Sequence, residues 1–159
     1  MLRDPNQQIH FTLDSFNAEK CAPTPFAGGT TNARGDDGGT SDPFTLFNVT
    51  GDVLARVWGV CTTLLSSAGG GTLEVGVTGN TAALIAQTTA TDIDANEIWN
   101  DASPVLGVET LANIAGPFVV ANGLDIIETV GTADITSGNI YYICLWRPLS
   151  PDGNVASAV

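Results

Sequence analysis

Hydrophobic and polar positions alternate with a period of two along much of the chain, which is the pattern of β-strands that bury one face. The first alternating stretch covers residues 8–14, where Ile9, Phe11 and Leu13 share one side. Further strand-like runs follow at residues 44–49, 72–78, 82–86 and 140–147.

Residues 53–65 form the longest strand-like run, and it is apolar on both faces apart from Arg56. Such a run predicts a strand that is covered on both sides. Later in the chain, Asn122-Gly123 separates two apolar runs and supplies the positive φ angles of a type I′ turn. Residues 118–130 are therefore predicted to form a hairpin. A short turn of helix is compatible only with residues 108–115.

Residues 17–43 carry almost no hydrophobic periodicity, because glycine and proline recur throughout them. This texture predicts an extended arm or a long loop. The fold class expected is all-β, with an antiparallel β-sandwich or jelly-roll-like body and an extended N-terminal arm. Residues 1–43 would form the first strand and the arm, residues 44–150 the body and residues 151–159 a tail.

The composition narrows the possible functions. The chain has 159 residues and a net charge of −12, with 14% charged residues against about 25% in a typical domain. Such acidity disfavours binding to nucleic acid, because phosphate backbones are bound through lysine and arginine. No apolar run is long enough for a membrane-spanning helix, and the polar N-terminus does not resemble a signal peptide. Synthesis in a cytoplasm is expected.

The three cysteines, Cys21, Cys61 and Cys144, are widely separated, and an odd number cannot all pair within one chain. Cys61 and Cys144 lie inside apolar runs, where a free cysteine behaves as a small buried hydrophobic residue. Buried free thiols are therefore the prediction, and a disulfide or a reactive thiol is the alternative.

Catalytic and metal-binding groups are scarce. His10 is the only histidine, Lys20 is the only lysine, and no Gly-x-Ser-x-Gly motif occurs. Oxygen side chains at residues 92, 94 and 96 resemble the start of a calcium loop, but Glu97 stands where that loop needs glycine. We expect a solvated acidic loop, no cofactor and no enzyme activity. A polysaccharide-degrading enzyme with paired carboxylates remains a remote alternative.

Arginine and tryptophan offer the remaining candidates. Arg56 and Arg147 adjoin apolar strand residues, so each is expected either to form a structural ion pair or to contact an acidic partner. The three tryptophans, at positions 58, 99 and 146, are expected in the core or between subunits. Arg34-Gly35-Asp36 spells a receptor-binding tripeptide, but three residues in a glycine-rich segment arise readily by chance.

Three segments carry a resemblance to a known group of proteins. Residues 46–60 read LFNVTGDVLARVWGV, residues 76–86 read GVTGNTAALIA, and the end of the region combines ADITSG at 133–138 with LWRPLS at 145–150. Together they resemble a family of small structural proteins of tailed bacteriophages over about residues 44–154. The N-terminal 43 residues lie outside the resemblance.

The resemblance implies a virion protein, most simply a capsid decoration (cement) protein that binds the outer surface of the head and bridges subunits of the major capsid protein. It also implies a homotrimer, with arms that pair with neighbouring subunits. A tail, neck or head-fibre subunit, including a receptor-binding tip, is the alternative. The expected partner contacts are Phe26, Arg34, Phe44, Arg56 and Arg147.

Overall fold

Two antiparallel sheets form the protein in a computed structural model that describes residues 16–159. Their eleven strands are β1 (Asn17–Cys21), β2 (Phe44–Thr50), β3 (Val53–Ser66), β4 (Thr72–Val77), β5 (Asn80–Thr89), β6 (Glu97–Trp99), β7 (Val105–Leu106), β8 (Phe118–Val120), β9 (Ile126–Gly131), β10 (Ser137–Pro148) and β11 (Asn154–Ser157). A single 3₁₀ turn at Ala90–Asp92 is the only helical element among the described residues.

The front sheet has the order β1-β10-β3-β6-β7, and β8 pairs with β3 beside β6. The back sheet has the order β11-β2-β9-β4-β5. Residues from both sheets contribute to one continuous hydrophobic core. The predicted all-β sandwich is thereby confirmed, and the strands predicted in the body lie close to where the alternation placed them.

The longest strands, β3 and β10, pair along almost their whole length at the centre of the front sheet. Every second residue of each strand faces the core, so Val57 and Cys61 of β3 are buried together with Tyr142 and Cys144 of β10. Trp99 on β6 is fully buried and meets the ring of Tyr142 edge to face, with ring centroids 6.3 Å apart. These aromatic contacts anchor the centre of the core.

The predicted hairpin at residues 118–130 is wrong. Its two halves belong to different sheets, because β8 pairs with β3 whereas β9 lies between β2 and β4. Asn122 and Gly123 do have positive φ angles of 58° and 65°. The turn therefore has the conformation that its sequence requires, but it carries the chain from one sheet to the other.

Residues 17–43 form a strand followed by a long loop, which is one of the two alternatives that their sequence predicted. Strand β1 pairs with β10 over all five of its residues. The following loop, residues 22–43, lies against the body: Gly28 N–H donates to the carbonyl of Ile135 at 2.9 Å, and Ile135 N–H donates to the carbonyl of Gly35 at 2.8 Å. A Cβ on Gly28 would lie 2.2 Å from the Gly35 carbonyl oxygen, so the loop closes on itself only because glycine stands there.

Three further predictions concern the C-terminal tail, residues 108–115 and residues 8–14. The predicted tail contributes β11, which pairs with β2, so both ends of the described chain belong to the body. Residues 108–115 form one hydrogen-bonded turn, from Asn113 N–H to the Thr110 carbonyl, and no helix. The strand expected at residues 8–14 lies outside the described residues.

Candidate functional site

The predicted contact residues fall into two separate groups. Phe26, Arg34 and Phe44 lie together, with the Arg34 guanidinium 3.8 Å from the centroid of the Phe26 ring and 5.7 Å from that of Phe44. Arg56 and Arg147 lie on the front sheet, where Arg56 is paired with Leu145 and Arg147 with Leu54. The first group belongs to the interior and the second to the surface.

The interior group is built around an ion pair. Arg34 Nε donates to Glu128 Oε1 at 2.8 Å, and Arg34 Nη2 donates to Glu128 Oε2 at 2.6 Å. Both side chains are buried, and the Tyr142 hydroxyl donates to the same carboxylate. Burial, reinforced by the negative charge of Glu128, raises the pKa of Tyr142 well above its usual value and keeps this donor protonated.

Phe26 and Arg34 are therefore not the partner contacts that we predicted. Phe26 is 3% exposed and Arg34 is 4% exposed, and their surroundings are supplied by the chain itself. The receptor-type tripeptide that begins at Arg34 is not displayed either, because its arginine points into the core. Glu128 was missed by the sequence analysis, although an acid between Ile127 and Val130 in an apolar run was a usable signal.

The surface group belongs to a wide apolar face, which we call the front face. It consists of the side chains of β3 and β10 that point away from the core: Leu54, Arg56, Trp58, Val60, Tyr141, Ile143, Leu145 and Arg147. All eight are half-buried, and none is acidic. Val119 on β8 continues this face beside Leu54 and is 66% exposed. Trp58 thus lies outside the core, whereas Trp99 and Trp146 lie inside it.

Three of the five positive charges in the chain lie on this side of the front sheet. Arg56 and Arg147 belong to the front face, and Lys20 on β1 has its Nζ 4.2 Å from the centroid of the Tyr141 ring. Register places Lys20 next to Ile143. In a chain of net charge −12, this is a strong separation of charge.

Arg56 does not form the structural ion pair that was one of its two expected roles. Its Nη1 donates to the Leu111 carbonyl and its Nη2 donates to the Gly116 carbonyl, the latter at 2.9 Å. Within residues 16–159, no carboxylate lies within ion-pair distance of its guanidinium. Arg56 therefore connects the 107–117 loop to the sheet through two neutral acceptors.

The loop and the sheet enclose a groove of about 470 Å³ on the front face. Leu54, Leu145 and Phe16 form its apolar wall, and Leu111 and Pro117 of the loop form the opposite side. Among the lining residues that the structure describes, Arg56 is the one that is charged. We call it the Arg56 groove. A cavity of this size and composition accommodates an apolar side chain with a polar group at one end.

A second groove, of about 400 Å³, lies where β8 and β5 approach each other from opposite sheets. Val119, Leu124 and Leu84 are among its lining residues, and all of its lining side chains are uncharged. Nothing charged in it would orient a ligand.

The acidic loop, which lies within the described residues, does not assemble a metal site. Glu97 accepts a hydrogen bond from the Asp94 backbone N–H at 2.7 Å, a contact that organises the turn itself. Across residues 16–159, no three histidine, cysteine or acidic side chains lie close enough to hold a metal ion. His10, the only histidine, lies outside the described residues.

The cysteines are free and buried, as predicted. Burial raises the pKa of the Cys61 thiol to about 11 and that of Cys144 to about 12, and it also raises the pKa of Cys21. Thiols with such pKa values are protonated at neutral pH and are poor nucleophiles.

In the described part of the chain, no helix is long and apolar enough to cross a membrane. Comparison with known proteins found no matching family model, no matching curated protein and no matching solved structure.

Proposed function

We propose that this chain is a structural protein of a tailed-bacteriophage virion, and most specifically a capsid decoration protein on the outer surface of the head. The proposal draws on the resemblance of residues 44–154 to small virion proteins and on the character of the surface. It assigns the chain a role based on contact area with neighbouring proteins and not on catalysis.

The observation that carries the proposal is the apolar front face. The core between the two sheets is already complete, yet the opposite side of the front sheet presents Trp58, Tyr141, Ile143 and Leu145. Antiparallel sheets commonly have one polar, solvated face, and extended apolar patches on a protein surface mark interaction sites. A protein partner over this face would remove these side chains from water.

The proposed contact region differs from the one that the sequence suggested. Residues 17–43 are engaged with the chain's own body through β1 and the Arg34–Glu128 pair, so they are not free to bind a neighbouring subunit in this conformation. The front face takes over that role, with Arg56 and Arg147 as contact residues. The major capsid protein is the proposed partner, and a homotrimer is the proposed assembly.

The net charge of −12 supports an external position, because a surface that lines packaged DNA would be repelled by its phosphates. The same charge and the same front face would serve a tail, neck or head-fibre subunit. That alternative differs in position and copy number, which makes it separable by experiment.

The proposal is tested by adding the purified chain to heads of the encoding phage that lack it and measuring co-sedimentation and label density by electron microscopy. If the chain decorates the head, the label should form a regular array over the head surface. The double variant Trp58→Ser/Ile143→Thr should bind the heads at least about tenfold more weakly. A variant at an exposed position of the same strand, Thr63→Ser, is the matched control. Label confined to the tail or neck would overturn decoration in favour of the alternative.

A further inference from the structure

We propose that the Arg56 groove binds an acidic segment of a partner protein, with a carboxylate on the Arg56 guanidinium and a neighbouring apolar side chain inside the groove. The inference rests on the proposed function for the origin of that segment. It specifies the chemistry that the partner must present.

The first argument is the state of Arg56. Two carbonyl groups, those of Leu111 and Gly116, hold its guanidinium in place, but both are neutral, and no carboxylate of residues 16–159 lies within ion-pair distance of it. A guanidinium has five N–H donors, and these two bonds use only part of them. A carboxylate is the group that matches the remaining donors in both geometry and charge.

The second argument is the wall of the groove. Leu54, Leu145 and Pro117 line the groove together with Arg56, and apolar walls lower the local dielectric and strengthen the attraction of a guanidinium for an anion. The groove volume of about 470 Å³ leaves room for an apolar side chain beside that anion. The ligand is therefore expected to be amphipathic.

The third argument is charge complementarity. Lys20 lies on the same side of the sheet as Arg56, whereas the chain as a whole carries 17 acidic residues. An acidic partner is attracted to this side and repelled by the rest of the molecule, which orients the encounter. Two copies that met through their front faces would instead oppose cation to cation. An acidic segment of a different protein is attracted to this side and avoids the repulsion that two copies would experience.

The inference is tested on the full-length chain by titration with an acetylated and amidated Leu-Asp-Leu-Asp-Leu peptide, followed by NMR of the Arg56 side chain and the Leu54 and Leu145 methyl groups. Replacing Asp with Asn in the peptide should weaken binding about tenfold, as expected for the loss of a charge-assisted hydrogen bond. Arg56→Gln should do the same, whereas Arg56→Lys should retain most of the affinity. Glu74→Gln, on the back sheet, is the control.

Several results would overturn the inference. Equal binding of the Asp and Asn peptides, or equal binding to the protein and to Arg56→Gln, would remove the role of the charge. Shifts at the groove that appear on self-association, followed by sedimentation velocity, would make a second copy the occupant. A peptide of residues 1–15 that binds about tenfold more tightly than the Leu/Asp peptide would make the chain's own segment the occupant. None of these titrations involves phage heads, so their failure leaves the proposed virion role to its own test.

Discussion

The guanidinium of Arg34 and the carboxylate of Glu128 form a two-point ion pair although 94 residues separate them in the chain. Both groups are buried, and Tyr142 supplies a third polar contact to the carboxylate. The pair connects the long loop of residues 22–43 to the centre of the back sheet. Together with the backbone hydrogen bonds to Ile135 and Gly138, it holds this loop, which carries few apolar residues, against the body.

Removal of one member of this pair should be costly. Glu128→Gln leaves a buried guanidinium without its counter-charge, and we expect the free energy of unfolding to fall by about 3–5 kcal/mol. Urea unfolding followed by tryptophan fluorescence measures the change. Glu74→Gln alters a half-buried surface acid whose carboxylate accepts a hydrogen bond from Gln87, and it should change stability by less than about 0.5 kcal/mol.

The double variant Arg34→Met with Glu128→Leu separates loss of charge from loss of packing. It should recover much of the stability lost in Glu128→Gln, because no buried charge remains unpaired. A double variant that is no more stable than the single one would show that the buried charge is not the main cost.

The three thiols should be protected in the native state. Cys21, Cys61 and Cys144 are each no more than 1% exposed. A thiol reagent at pH 8 can therefore react with them only when the structure opens locally or globally. We expect modification at least about a hundredfold slower than in urea. A burst of one rapidly modified cysteine, located by mass spectrometry, would contradict the structure at that residue.

Stability should decrease at alkaline pH. Burial raises the pKa of Cys144 from 9.0 to about 12 and that of Cys61 to about 11, so the folded chain keeps protons that the unfolded chain releases above pH 9. The free energy of unfolding should therefore fall as pH rises, by roughly 1–2 kcal/mol between pH 9 and pH 10. Urea midpoints at these pH values measure it. The Cys61→Ala/Cys144→Ala variant should show a shallower decline, and an equal decline would assign it to other groups.

Gly59 lies where the core has no room for a methyl group. A Cβ at this position would be 2.8 Å from Ile140 Cγ2 and 3.3 Å from Trp99 Cε3. Gly59→Ala should therefore lower the free energy of unfolding by about 1–3 kcal/mol through overpacking. Thr63→Ala, at an exposed position of the same strand, is the control for thermal unfolding. Equal melting temperatures for the two variants would refute the tight contact.

The sequence by itself determined most of the strands. Period-two alternation identified β2, β4, β5 and β10, because one buried face imposes the same polarity on every second residue, and a long β-branched apolar run identified β3. It also showed that residues 53–65 are apolar on both sides, which anticipated the front face. The acidic composition and the scarcity of histidine and lysine favoured the prediction of a protein-binding role over a catalytic one.

Only the tertiary structure decided which strands meet. Asn122-Gly123 encodes a turn, but the choice between a hairpin and a passage between sheets depends on the partners that β8 and β9 find elsewhere. Likewise, the loop of residues 22–43 has no periodicity of its own, and its position follows from contacts with distant residues, among them the Arg34–Glu128 pair and the hydrogen bonds to Ile135. The local sequence pattern indicates which side of a strand is buried. Strand pairing depends on residues far apart in the chain, and no short stretch of sequence contains both partners.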